Sequence, residues 1–436
     1  MTFIIYEQHV FPERFANGAA GDYHEETRYE EEKAMNRWVL VLAVLALALA
    51  GCGGREKPAP ASGFLADVEF LKTRTEVVVL EGDGGARVAV CPGLQGRVMT
   101  SAAGGPGFGW INRELLSSGV NNPHMNAFGG EDRFWLGPEG GQFSIFFKWG
   151  DPFDLDHWFT PPPVNEGAFD VAAREAGRIE FVKPMKLVNY SGTAFDLQVR
   201  RVVRTIGRAE AETLLGLSLP SGIGMAAFVS ENTLTNAGAA PWRKETGLLS
   251  IWILGMFNPA PRMTVVVPFN PGPEAGLGPA VNDAYFGKVP ADRLVVKDSA
   301  LFFKGDGLYR SKIGLSPRRA KPVLGSYDPD LGLLTVVQFS LPDGARDYVN
   351  SMWEIQDDPF SGDVVNSYND GPAQPGAKPL GPFYELETSS PAAALDPGAS
   401  LLHVHRTFHF VGGKDELNRI AGSVLGVRLA EIKSAF

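Results

Sequence analysis

From Phe64 to the C terminus, short runs of β-branched and aromatic residues recur with glycine- and proline-bearing breaks between them. No other feature of the chain constrains its fold as much. Phe195–Ile206 (FDLQVRRVVRTI) alternates in part between apolar and polar residues, the period-two pattern of a strand with one buried face. Thr75–Leu80 and Arg87–Val90 flank EGDGG and read as a hairpin. Further strands are predicted at Gln142–Lys148, Ile179–Val182, Lys186–Asn189, Leu248–Met256, Met263–Phe269, Leu294–Phe303, Leu333–Leu341, Phe383–Thr388 and Leu401–Val411. Clear helical periods are rare, and Lys414–Leu425 is the best candidate. The 51 glycines and 32 prolines supply the turns that such a succession needs. The expectation is an all-β sandwich or barrel with few short helices, and no linker divides it after Ser62.

The start of the chain reads differently. Trp38–Ala50 (WVLVLAVLALALA) is an unbroken apolar run, too short to span a bilayer but suited to the core of a signal peptide. Asn36-Arg37 give it a positive flank, and it ends in Leu49-Ala50-Gly51-Cys52, which resembles a bacterial lipoprotein signal. That resemblance implies lipidation of Cys52, a membrane partner through the lipid and a place in the bacterial cell envelope. Gly53 stands after Cys52 where an aspartate would favour the inner membrane, so the periplasmic face of the outer membrane is expected. Residues 1–34 precede this signal without fitting it and read as an upstream extension assigned in error. Residues 35–51 are then the signal, 52–63 a Gly/Pro/Ala-rich tether, and 64–436 the β domain.

A net charge of −10 disfavours a phosphate backbone, so no nucleic-acid partner is expected. The chain has neither a P-loop nor a dinucleotide fingerprint, and no cofactor is expected. It also lacks G-x-S-x-G and H-E-x-x-H, which weakens serine hydrolase and zinc protease readings.

The densest chemistry lies in Asn126–Gly141, NAFGGEDRFWLGPEGG, which holds three acids, an arginine, a tryptophan and five glycines. Its punctuation reads as loop, short strand, loop. An aromatic ring beside carboxylates and a planar guanidinium suits a sugar, whose faces are apolar and whose rim is hydroxyl. Asn126, Glu131, Arg133 and Trp135 are therefore candidate sugar contacts; the competing reading is a solvated turn whose ions satisfy one another. On a strand, Glu131, Arg133 and Trp135 would share a face.

Further candidates come from three segments. In LLHVHRTFHF, His403, His405 and His409 share a strand face with Thr407, opposite Val404, Arg406, Phe408 and Phe410. That face is read as a carbohydrate contact through His403 and His405, as a metal site if carboxylates converge on it, or as a hydrogen-bonded structural row. In FYELE, Glu385 and Glu387 share a face opposite Tyr384 and Leu386, and a carboxylate among aromatics is a candidate base. DPFDLDHW brings Asp154 beside His157 and Trp158, a histidine with a partner to fix its tautomer and a ring to stack on a sugar. Glu131 and Glu385 form a second possible acid pair, of the glycosidase kind. Asn366–Gly371 (NSYNDG) reads as a turn.

The succession of strands, NTLTNAG at Asn232–Gly238, and GPFYELETSSPAAALDPGASLLHVHRTFHF near the end resemble the galactose mutarotase-like β-supersandwich. GGEDRFWLGPEGG is similar in placement to the glycine-rich loop of aldose 1-epimerase-like proteins. The resemblance spans roughly Phe64 to the C terminus. It implies a carbohydrate partner and a sugar epimerase or mutarotase that opens the ring with a histidine acid and a glutamate base, here assigned to His157 and Glu385. The alternatives are a non-catalytic envelope lipoprotein that binds polysaccharide and one with a purely structural role.

Overall fold

The computed structural model describes residues 63–374 and 376–436. The expected upstream extension, the signal segment, Cys52 and the tether up to residue 62 lie outside the described residues. Three antiparallel sheets make up the rest. The largest has ten strands in the order β11 (Leu294–Val296), β12 (Ala300–Lys304), β10 (Thr264–Pro268), β14 (Val323–Asp328), β15 (Leu333–Phe339), β18 (Ser400–Val411), β8 (Gly224–Asn236), β7 (Ala194–Thr205), β6 (Arg178–Val188) and β5 (Asp170–Glu175). A five-stranded sheet runs β13 (Ser311–Leu315), β16 (Val365–Asn369), β17 (Tyr384–Ser389), β9 (Ser250–Phe257), β4 (Arg133–Gly137). A three-stranded sheet pairs β1 (Val78–Glu81), β2 (Ala86–Cys91) and β3 (Arg97–Ala103) around the expected EGDGG hairpin. This is an all-β supersandwich with few helices, as the pattern of the sequence predicts.

Strand alternation decides the layers. On β18, Phe408 and Phe410 face one way and pack with Leu417, Ile420 and Ile432 of the two C-terminal helices, Lys414–Val424 and Leu429–Lys433. Burying each such side chain stabilises the fold by about 1.5–3 kcal/mol. The opposite face of β18 carries His403, His405, Thr407 and His409, all fully buried towards the five-stranded sheet. On β17, Tyr384, Leu386 and Thr388 meet that interior: Tyr384 Oη lies 2.8 Å from Ser326 Oγ of β14. Glu385 and Glu387 therefore point to the far side of the five-stranded sheet. The three-stranded sheet closes over β7 and β8, with Val88, Val90 and Val98 in one core with Phe181, Val199 and Phe228.

Several expectations are corrected. Phe64–Lys72 is a helix, its Phe64, Val68 and Leu71 buried at helical spacing against β2 and β3. Gln142–Lys148 is not a strand; Ile145, Phe146 and Phe147 are buried from an irregular loop, because an apolar run this short does not specify a period. Val365–Asn369 is strand β16 where a turn was expected, since pairing on both sides with β13 and β17 overrides the turn preference of Asn and Ser. Ile179–Val182 and Lys186–Asn189 fuse into β6 through Pro184, and Leu294–Phe303 splits into β11 and β12.

Candidate active site

The outer face of the five-stranded sheet forms the floor of a cleft of about 360 Å³, large enough for a small ligand. Arg133 and Trp135 come from β4, Trp252 and Leu254 from β9, Glu385 from β17, Tyr368 from β16 and Lys312 from β13. Register places them together: Arg133 is opposite Leu254, Trp135 opposite Trp252, Leu254 opposite Glu387, and Lys312 opposite Tyr368. Loops supply the walls, with His124 and Met125 on one side, Trp158 and Trp353 above, and Asp370, Gly371 and Lys378 to Leu380 across the mouth.

The Gly-Gly pair upstream of β4 has a steric cause. Gly129 and Gly130 have φ of 94° and 112°, and a Cβ on Gly129 would collide with the Trp110 carbonyl oxygen. The resulting bend breaks the alternation that would have put Glu131 beside Arg133. Glu131 instead turns into the interior, where it accepts from Ser101 Oγ at 2.8 Å and lies 2.9 Å from His409 Nε2. Glu131 is therefore no sugar contact, and it cannot pair with Glu385 as a glycosidase would, because the two face opposite sides of the sheet. Its neighbour Asp132 is fully buried on Arg201 at 2.6 Å.

Arg133 is held by Glu385 instead, donating from Nη2 to Oε1 at 3.1 Å, and its guanidinium stacks 4.3 Å over the Trp135 ring. Beside this pair, Lys312 Nζ and Trp252 Nε1 both donate to Glu387 Oε2, at 3.0 and 2.9 Å. Basic side chains on the two edge strands thus bond to acidic side chains of a central strand. Burial pushes the Glu385 carboxyl up to about 8; Arg133 opposes the rise and Glu387 adds to it. Burial also raises Glu139, against Lys312. Asp370 is pushed up to about 6 by burial, although Gly381 N–H and the Tyr368 hydroxyl donate to it at 2.8 and 2.9 Å. Above them the tryptophans form an aromatic wall: Trp158 stacks on Phe146 and on Trp353 with centroids 5.8 and 6.0 Å apart. The buried Trp158 Nε1 and Arg133 Nε have no hydrogen-bond partner within the described residues, leaving two donors at the cleft for a ligand.

Of the residues singled out in the sequence, Arg133, Trp135, Trp158 and Glu385 line this one cleft. Four others do not. His403 and His405 lie fully buried between the sheets, each 2.9 Å from the Thr388 hydroxyl, and burial lowers them to about 3 and about 4, so both are neutral. Among the described residues, no group of three His, Cys, Asp or Glu side chains is arranged to hold a metal. His157 is bound to Asp154 at 2.6 Å on an exposed turn and is not among the lining residues, so the histidine assigned as the acid is misplaced. Asn126 is buried as a brace, its Oδ1 accepting from Asn122 N–H and its Nδ2 donating to the Asn165 carbonyl.

His124 went unnoticed in the sequence, although it stands two residues before the Asn126–Gly141 stretch. Its Nδ1 lies 2.6 Å from the Trp158 carbonyl oxygen and its ring stacks on Phe159. The carbonyl can only accept, so Nδ1 donates to it, and in the neutral form the lone pair is on Nε2. Lys312, Trp252, Trp353 and Tyr368 also escaped notice, because each lies on a strand or loop remote in sequence from the others.

Residues 62–436 match a family described as a family of unknown function, DUF6786. No curated protein matches the sequence. Solved structures similar to this chain include Slr1438 from Synechocystis, at 14% identity over 78% of this chain and 97% of that one, with a TM-score of 0.47. A galactose mutarotase-like protein from Lactobacillus casei shares 10% identity over 77% of this chain and 100% of that one, with a TM-score of 0.42. A galactose mutarotase related enzyme from Lactobacillus acidophilus shares 10% over 77% and 98%, also with a TM-score of 0.42.

Proposed function

The chain belongs to DUF6786, and we propose that it binds a carbohydrate in the tryptophan-lined cleft and opens and recloses the sugar ring there. The observation that carries this reading is Glu385, a buried carboxyl that keeps its proton near neutrality on a floor walled by indole rings. A pyranose stacked on the indoles buries its C–H face, while its hydroxyls meet Arg133 Nε and Trp158 Nε1. Glu385 gives its proton to the ring oxygen as the C1–O5 bond breaks. His124 Nε2 takes the proton of the anomeric hydroxyl as the aldehyde forms. Rotation about C1–C2 and the reverse transfers close the ring as either anomer, and both side chains return to their starting states. The assignment exchanges the roles expected from the resemblance, because a carboxyl raised to about 8 is an acid and a histidine with a free lone pair is a base. Lipid attachment at Cys52 would hold this domain in the bacterial envelope, a reading that rests on the sequence of the signal.

Exchange NMR between the α and β anomers of a panel of aldoses tests the proposal. Wild type should accelerate exchange for at least one sugar, and Glu385→Gln should reduce that acceleration by about 10²–10⁴-fold while binding persists. Binding without acceleration in wild type would favour the non-catalytic reading. A panel in which no sugar binds would remove the carbohydrate reading altogether.

A further inference from the structure

Among the described residues, each Arg or Lys side chain at the cleft except one is bonded to an acidic side chain. Arg133 bonds Glu385 and Lys312 bonds Glu387, while Lys378 at the rim reaches Glu114 at 3.0 Å. Arg310 lines the same cleft, and among the described residues its side chain makes no ion pair and no hydrogen bond. It stands two residues before Lys312 at the start of β13, so it extends the Lys312 row towards the mouth. Its guanidinium lies 3.6 Å from the centroid of the Phe286 ring, which holds the planar fork in place without using its N–H groups. The acids that feel its charge include Glu139 and Asp370, and Asp370 accepts from Tyr368 through one oxygen and from Gly381 through the other.

We infer that Arg310 is an anion clamp and that the sugar taken by this cleft is acidic, bearing a carboxylate or phosphate that the guanidinium grips while the ring rests on the tryptophans. The inference rests on the carbohydrate reading above and narrows it. A positioned guanidinium with free donors matches a two-oxygen anion through parallel N–H···O bonds, a geometry that a neutral hydroxyl fills only in part. The Glu385 carboxyl, raised to about 8, lessens the negative charge that an anionic ligand would meet. Phe286 is 40% exposed at the mouth, so the anion would sit at the open end and the reacting carbon deeper, beside Glu385.

Titration calorimetry of the protein with glucuronate, galacturonate and glucose 6-phosphate, against glucose and galactose, tests this at low and at physiological salt. An acidic sugar should bind at least about tenfold tighter than its neutral counterpart, and salt should narrow the gap. The uronate and phosphate arms tell which anion is the better fit. Arg310→Gln should bring the acidic-to-neutral ratio close to one. Arg310→Lys, which keeps the charge but loses the fork, should retain part of the preference and also guards against misfolding of the first variant. Neutral sugars binding as tightly as acidic ones in wild type, or a preference unchanged in Arg310→Gln, would overturn the inference and leave the carbohydrate reading standing. Binding of no sugar at all would sink both.

Discussion

Arg133 and Glu385, 252 positions apart in the chain, meet at 3.1 Å on the floor of the cleft with almost no exposure to solvent. Neither residue's local sequence contains the other, yet the pair sets the charge state of the cleft. Arg133→Ala should leave a buried carboxyl without its hydrogen-bond partner and cost about 1–3 kcal/mol of stability, besides weakening sugar binding. In a double-mutant cycle, Glu385→Gln should recover part of that loss. Additive costs in denaturant unfolding would mean that the two side chains do not interact.

Glu385 also predicts a pH dependence. Its folded pKa, about 8, lies above the ordinary glutamate value, so between about pH 4.5 and 8 the native state holds a proton that the unfolded chain has released. This contribution is fully present below pH 4.5 and is lost as pH rises through 8, with a slope of at most about 1.4 kcal/mol per pH unit. Urea unfolding of wild type from pH 5 to 9 should show more loss of stability with rising pH than Glu385→Gln does. Parallel curves for the two proteins would contradict the raised pKa.

His403 and His405 carry the opposite sign. Their folded values of about 3 and 4 lie below the unfolded histidine value, so their contribution is present in full above about pH 6.5 and disappears as pH falls towards 3. The Thr388 hydroxyl serves both rings. Thr388→Val should cost about 1–3 kcal/mol by stranding buried ring nitrogens and should leave sugar affinity where it was. Lost affinity with intact stability would return these histidines to the ligand.

His124→Ala removes the proposed base without removing a floor residue. It should lower anomer exchange by about 10²–10⁴-fold and change sugar affinity far less. His157→Ala, on its exposed turn, should do neither. The reverse result in exchange NMR would restore His157 as the catalytic histidine.

At the other end of the chain, Cys52→Ser should release the protein from membranes, since the acyl chains would supply the membrane affinity. Fractionation of cells expressing both forms checks this, and unchanged membrane partition would count against lipid attachment.

Much was determined by local sequence because strand geometry is local. A period of two states that Glu385 and Glu387 share a face, that Tyr384 and Leu386 share the other, and that His403, His405 and His409 stand in one row, whatever the strands later pair with. The glycine and proline breaks likewise made an all-β sandwich legible. Period two does not say which face of a strand looks into a cleft and which into another sheet; that is decided by the layer laid against it. The ten-stranded sheet covers the even-numbered face of β17 and the five-stranded sheet covers the histidine face of β18, which sends the histidines into the core and Glu385 into the cleft. Glu131 left its expected face because Gly129 and Gly130 bend the chain at positive φ, under a steric demand imposed by the Trp110 backbone. His124, Lys312, Tyr368 and Trp353 joined the site only because four separate segments converge over one sheet. Convergence of that kind depends on long-range packing, which no window of sequence contains.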